Sequence, residues 1–404
     1  MSVEIRPARP EELADYLRVV KYVFAVPPDD PNAQPDLEWR LDPEHTVCAV
    51  VDGRIVSTYG AYAFDVRLNG TRVPMAGVTN VGTLPGYRRQ GHIRELVLRG
   101  ISDARDRGQS CTMLWASYAA IYQRFGYGLA SKWVGYRWDP RYGALTGPRA
   151  TGRTEVVAPS EGRAIAEELH PRFAEPRNLM IERSGEFWKR LFEPHPPTPP
   201  PQHMGVYRNA RGEARGYVLF NVREHEDWEP GPNQYATVRD FAWLDIDAYR
   251  GLWEFLAGHD LFREIDMERV PEDDPAMLLL LEPRTLHRRT GDAIWLRVAD
   301  AELALRQRAY GAAGTLTLRV VDEHFDWNDA TFRIEAGEAS EVSRVGGEAA
   351  LTVPVARLAQ LLSGYASASE LARAGLIEVN EPSVLGTADA MFATAYRPYC
   401  QEGF

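Results

Sequence analysis

Hydrophobic and polar positions along the first third of the chain follow two periods, and the switches between them mark its elements. Val3 and Ile5 predict a short first strand, with a helix following through EELADYL. Residues 46–68, TVCAVVDGRIVSTYGAYAFDVRL, predict two strands folded back at Asp52-Gly53, a favourable turn dipeptide. GVTNVGTLP (77–85) predicts a buried strand stopped by Pro85. From Gly91 to Gly108 the period changes to helical. Ile93, Leu96, Val97, Ile101 and Ala104 fall on one face and Arg94, Glu95, Arg99, Asp103 and Arg105 on the other. Gly108 suits the helix C-terminus. CTMLWAS (111–117) predicts another buried strand, YAAIYQRFG a short helix, and GYGLASKWVGYRW one alternating strand.

RYGALTGPRATGR (141–153) has the composition of a linker. The block after it, about 154–290, again mixes strands and helices, with strand YATVRDFAWLD leading into helix DAYRGLWEFLAGHD. PHPPTPPP (194–201) within it predicts a rigid extended loop. A third block begins near Trp295. Strands GTLTLRVVD, ATFRIEAG and EAALTVP precede helices near 354–363 and 386–395, the order of an α+β module.

Composition narrows the field. The chain has 404 residues, enough for two to four domains, and it is 45% hydrophobic and 25% charged, as in a soluble globular protein. A net charge of −11 argues against general nucleic-acid binding and is compatible with cationic substrates. No apolar run is long enough to span a bilayer. The first residues lack a secretory apolar core, so the cytoplasm is expected. Cys48, Cys111 and Cys400 are scattered, with no CxxC or Cys/His cluster; neither a disulfide framework nor a metal site is expected.

Within this acidic chain, TLPGYRRQGHIREL stands out. It places Pro85-Gly86 after a strand, Arg88 and Arg89 in a loop, and Gly91 where a helix opens. That order suits a phosphate, because backbone N–H groups and the helix N-terminus both favour an anion there. A solvated basic turn would read the same way. The glycine spacing matches neither the dinucleotide fingerprint nor the P-loop.

VGTLPGYRRQGHI resembles motif A of the GCN5-related N-acetyltransferases (GNAT): a strand, then Arg/Gln-x-x-Gly-x-Gly/Ala, then a helix. Ile93 departs from the Gly or Ala of the general pattern. Together with LWASYAAIYQRFGYG (114–128), that departure is similar to the Eis (enhanced intracellular survival) family. The resemblance covers the whole chain and implies an α/β (α+β) protein. Residues 1–140 would form a catalytic GNAT domain, 141–293 a second, degenerate one, and 294–404 a sterol-carrier-protein-like domain whose C-terminus reaches the active site. After YATVRDFAWLD the sequence is IDAYRGLWEF, with Arg250-Gly251 too late for the motif, so no coenzyme A site is expected there.

The resemblance also implies acetyl-CoA as co-substrate, with no metal. Val81, Gly82 and Thr83 would offer backbone to the pantetheine. Arg88, Arg89, Gly91, His92 and Ile93 would hold the diphosphate, and Ser117 would help to orient the site. Tyr122 aligns with the tyrosine that protonates the coenzyme A sulfur, although Tyr122, Phe125 and Tyr127 also read as an aromatic cluster packing a short helix. The Phe404 carboxylate would act as general base, with Tyr396, Pro398 and Tyr399 docking the tail. Phe24, Asp29, Asp30, Trp39 and Glu402 are candidates for binding an amine acceptor, an aminoglycoside-type molecule or a lysine. A homo-oligomer, by resemblance a hexamer, is implied. The competing reading is a non-catalytic acyl-CoA or lipid-binding scaffold.

Overall fold

The computed structural model describes residues 3–27, 41–193, 200–224 and 231–404. The chain divides into two compact units, residues 1–131 with 292–404, and residues 132–291.

The first unit begins with β1 (Val3–Arg6), α1 (Leu13–Val23), β2 (Thr46–Val51), β3 (Arg54–Leu68) and β4 (Thr71–Thr83). Asp52 and Gly53 turn the β2–β3 hairpin with φ of +47° and +77°, as the dipeptide predicts. Between Thr79 and Gly82, β4 slips register against β3, and Asn80 sits at the bulge with φ of +56°. Then come α2 (His92–Asp106), β5 (Cys111–Trp115), α3 (Ala119–Gln123) and β6 (Gly128–Leu129). Leu96, Val97, Ile101 and Ala104 of α2 are buried against β2 and β3 residues, which is the predicted face.

The alternating run 126–138 does not form one strand. After β6, Ala130 and Ser131 both donate to the Ile294 carbonyl, and β7 (Lys132–Trp138) then enters the sheet of the second unit. Alternation specifies a strand but not its sheet. Val134, Tyr136 and Trp138 are instead claimed by the second core. The linker composition points to a break at 140, whereas the sheets divide at 131/132.

The second unit continues with β8 (Arg153–Val157), α4 (Pro159–Ala174), α5 (Gly185–Phe192), β9 (Gln202–Arg208), β10 (Ala214–Glu224) and β11 (Gln234–Trp243). It ends with α6 (Ile246–Ala257), β12 (Phe262–Val270), α7 (Ala276–Leu279) and β13 (Arg289–Asp292). Its sheet order is β13-β7-β12-β11-β10-β9-β8, with β11 and β12 parallel across the α6 crossover.

β14 (Ile294–Val298) returns to the first sheet rather than opening a separate module. It pairs antiparallel with β5 from Ile294↔Trp115 to Val298↔Cys111, completing the order β1-β2-β3-β4-β5-β14-β6. Then follow α8 (Ala301–Gln307), β15 (Gly314–Val321), β16 (Thr331–Ala336), β17 (Glu341–Val345), β18 (Leu351–Pro354), α9 (Val355–Ser363), α10 (Ala368–Arg373), β19 (Glu378–Val379) and α11 (Leu385–Phe392). Strands β15 to β19 make a five-stranded sheet of their own. No helix among the described residues is long and apolar enough to cross a membrane.

Candidate active site

The site starts from a gap between two parallel strands. Among the described residues, β4 pairs with β5 only over Met75–Gly77 against Cys111–Met113. Beyond that the strands part, while β5 keeps its ladder to β14.

Backbone alternation decides which groups face the gap. Leu84 N–H bonds the Val56 carbonyl at 2.9 Å, and Ser57 Oγ donates to the Gly82 carbonyl at 2.9 Å. The peptide groups of Gly82 and Leu84 therefore turn toward β3, and those of Val81 and Thr83 turn away from it. Of the three expected backbone partners, Gly82 is engaged with β3 and serves as wall.

A single 3-10 turn, Pro85–Tyr87, leads from β4 into the basic loop. Arg89 has φ of +63°, and Gly91 caps α2 with φ of +89°. A Cβ built on Gly91 would meet nothing within 4 Å, so glycine is there for its backbone angle and leaves an open face. No side chain caps α2. The N–H groups of Arg89, Gly91, His92 and Ile93 donate to no backbone carbonyl among the described residues, as expected for a helix start. Arg88 differs. Its N–H closes the turn onto Pro85 O at 3.3 Å, and its Nε donates to Thr83 O at 3.2 Å. It braces the loop, so its backbone is not among the free donors.

These residues line one cleft of about 650 Å³. Val81, Gly82, Thr83, Arg88, Arg89, Gly91, His92, Ile93, Ser117, Tyr122 and Phe24 all border it, so most sequence-derived candidates converge. Arg94 and Arg124 also border it, making a cationic lining in an acidic protein. Four free N–H groups, a positive helix end and this lining fit a diphosphate. Asp29 and Trp39, with Asp30, lie outside the described residues.

Tyr122 is also part of the wall. It is buried, and its ring meets Tyr127 edge-on at 5.7 Å. Tyr127 is itself fixed by a 2.7 Å hydrogen bond to Thr112 Oγ1. The two sequence readings of this cluster are thus compatible, since the same tyrosine packs the core and borders the cleft. Burial pushes its phenol up to about 12.

The C-terminal tail docks onto the same sheet. Trp115, at the end of β5, donates from Nε1 to the Glu402 carbonyl at 2.9 Å. The Phe404 ring packs edge-on against Phe64 of β3, with centroids 5.1 Å apart. Tyr399, Cys400, Gln401 and Glu402 are buried. Val23, Tyr87, Tyr118 and Ile121 also line the cleft. Tyr118 and Ile121 lie in the quoted helix and Tyr87 in the quoted loop, but nothing in the sequence marks Val23.

Residues 4–130 and residues 179–298 each match an acetyltransferase (GNAT) domain family, and residues 301–401 match a sterol carrier protein domain family. An uncharacterized N-acetyltransferase of Streptomyces avermitilis is 30% identical over 360 residues, 86% of this chain and 87% of that protein. The N-acetyltransferase Eis of Mycobacterium tuberculosis is 28% identical over 331 residues, 80% of this chain and 79% of that protein. The crystal structure of Eis1 from Mycobacterium abscessus aligns with a TM-score of 0.84 at 27% identity, over 100% of both chains. An opened parallel strand pair beside an uncapped glycine-led helix, in this fold, defines an acyltransferase. The chain belongs to the Eis-like family of GCN5-related N-acetyltransferases.

Proposed function

We propose that the protein moves acetyl from acetyl-CoA directly to an amine of a cationic acceptor, an aminoglycoside-type molecule or a lysine. The observation that carries this reading is that the Gly91 helix start and Tyr122 border one cleft. Bound acetyl-CoA supplies the acyl group and departs as a thiol. Val81 and Thr83 offer backbone groups along the opened edge of β4, and the N–H groups of Arg89, Gly91, His92 and Ile93 take the diphosphate. Ser117 orients the site from the end of β5.

Tyr122 is the general acid. A phenol keeps its proton at neutral pH, burial here raising the pKa further, and Tyr122 gives that proton to the sulfur as the carbon–sulfur bond breaks. Burial that weakens the phenol as an acid also strengthens a desolvated thiolate as a base. The Phe404 carboxylate is the general base and takes the proton that the acceptor amine loses. Docking of the tail through Trp115 and Phe64 supports this role. Phe24, with 46% of its surface exposed, borders the cleft and presents an aromatic face to an acceptor cation, and Glu402, near Phe404 in the docked tail, adds an acid. Asp29 and Trp39 complete the acceptor set. Exposed Met277, Leu278 and Leu281 on the second unit support self-association, the hexamer follows from the family resemblance alone, and sedimentation tests it.

A thiol-release assay with acetyl-CoA and a panel of amines tests the reading; no release with any amine would leave the binding-scaffold alternative. Tyr122→Phe should lower kcat by about 100-fold or more with little change in acetyl-CoA affinity. A few residues added after Phe404 should abolish turnover without changing Tm. Full activity in either variant removes that residue from the mechanism.

A further inference from the structure

The helix that carries Tyr122 is too short to hold itself. α3 spans five residues, Ala119–Gln123, and its start has no side-chain cap. Isolated helices of this length are not stable, and the last carbonyls of any helix lack intrahelical partners. Here the carbonyls just past α3 are bound by side chains from far along the chain. Arg297 Nε, on β14, donates to the Phe125 carbonyl at 2.6 Å. His324 Nε2, in the loop after β15, stands 2.8 Å from the Arg124 carbonyl. Within the turn itself, Phe125 N–H returns to the Tyr122 carbonyl at 2.9 Å.

The anchor behind these contacts is buried and satisfied. Arg297 and Asp322 are both fully buried, and Arg297 Nη2 reaches both Asp322 oxygens at 2.8 Å. Arg297 Nη1 donates to the Val298 carbonyl. Asn328 Nδ2 donates to Asp322 Oδ2 at 2.9 Å, while its Oδ1 accepts from Ala301 N–H at 2.8 Å, at the start of α8. His324 N–H also donates to Asp322 Oδ1, at 3.1 Å. Gly126 completes the fit. It takes φ of +82°, and a Cβ there would lie 2.9 Å from Arg297 Nε. The backbone must pass close to the guanidinium, and only glycine allows both the angle and the approach.

A buried ion pair is weak evidence for stability, because desolvation offsets its attraction. This one instead connects the C-terminal part of the chain to the turn that holds the phenol. We propose that Arg297, fixed by Asp322 and assisted by His324, is a positioning residue that holds Tyr122 at the cleft. It touches neither substrate nor reacting atoms. The role rests on Tyr122 being the general acid, and the test separates the two claims.

The experiment is a double-mutant cycle on the full chain, with kcat and the acetyl-CoA KM measured for each variant. Arg297→Lys keeps a cation for Asp322 but loses the planar fork that bonds Phe125. It should lower kcat by roughly 30-fold and leave the acetyl-CoA KM within about twofold, since the Arg297 bonds run to Phe125, Val298 and Asp322 and not to the phosphate loop. His324→Phe keeps an aromatic ring beside Phe125 without the donor and should lower kcat by about threefold. In a Tyr122→Phe background neither change should lower kcat further. If Arg297→Lys does not fold, as judged by circular dichroism, His324→Phe carries the same cycle.

Losses that multiply fully with Tyr122→Phe would overturn the positioning role, as would full kcat in folded Arg297→Lys beside an impaired Tyr122→Phe. Full kcat in Tyr122→Phe alone removes the general acid, and this role with it.

Discussion

Two parallel crossovers bridged by a helix, β4–α2–β5 in the first unit and β11–α6–β12 in the second, share one topology and differ in how the helix begins. In the first, the helix is led by Gly91 at φ of +89° and no side chain caps it. In the second, Asp245 leads the helix and its Oδ1 accepts from Ala248 N–H at 2.9 Å. The partial positive charge that would draw a phosphate is already met by a carboxylate, itself paired with Arg215. The space between the strands differs as well. Beside Tyr122 it is a cleft; around α6, Phe241, Trp243, Tyr249 and Trp253 pack on one another. Tyr136 and Tyr249 both donate to buried Asp274 Oδ1, at 3.1 and 2.8 Å. One scaffold thus supports a ligand site or a packed core, according to a cap residue and the rings beside it.

The contrast can be broken most directly at Gly91. Gly91→Asp places a carboxylate at the proposed diphosphate site and imposes a strained backbone angle, while the added Cβ meets nothing. Acetyl-CoA binding by calorimetry should weaken by about 100-fold or more with the fold retained; unchanged affinity would remove the loop from the cofactor site.

A smaller effect is expected in the second unit at Asp274. Burial raises its carboxyl to about 6. An acid with a raised folded-state pKa binds its proton more tightly folded than unfolded. Its penalty is absent below its unfolded pKa of about 4, grows as pH rises, and is complete above about 6. Asp274→Asn keeps an acceptor for both tyrosines and for Ala276 N–H, so it should stabilise the protein by roughly 1–3 kcal/mol near pH 7. Near pH 4 it should do almost nothing. Urea unfolding at the two pH values checks the sign; an equal effect at both would show that Asp274 is not the titrating group.

The smallest effect is at Asp245. Asp245→Ala removes the cap and should cost about 1 kcal/mol of stability. It should not create a second cofactor site, because the aromatic packing remains. Calorimetry should still find one acetyl-CoA per chain, and a stoichiometry of two would show that the cap alone distinguishes the crossovers.

Much of this was legible in the chain because its signals are local. Asp52-Gly53 specifies its own turn, and the apolar spacing from Leu96 to Ala104 specifies the buried face of α2. TLPGYRRQGHI specifies a strand, a loop and an uncapped helix start within a few residues. The same local reading assigned 126–138 to one strand, because alternation reports burial of a face and is silent about which sheet supplies the neighbour. It also grouped Gly82 with Val81 and Thr83, since only the register with β3 shows which peptide groups turn outward.

By itself, then, the sequence determined the family, the glycine-led basic loop and the tyrosine that borders the same cleft, through backbone angles and side chains that act within one or two turns. The tertiary structure decided what depends on distant partners. Trp115 meets Glu402 across 287 residues, and Arg297 reaches Phe125 across 172. No periodicity spans such separations. Those contacts exist because β14 returns to pair with β5, which brings the end of the chain to the sheet that holds the cleft.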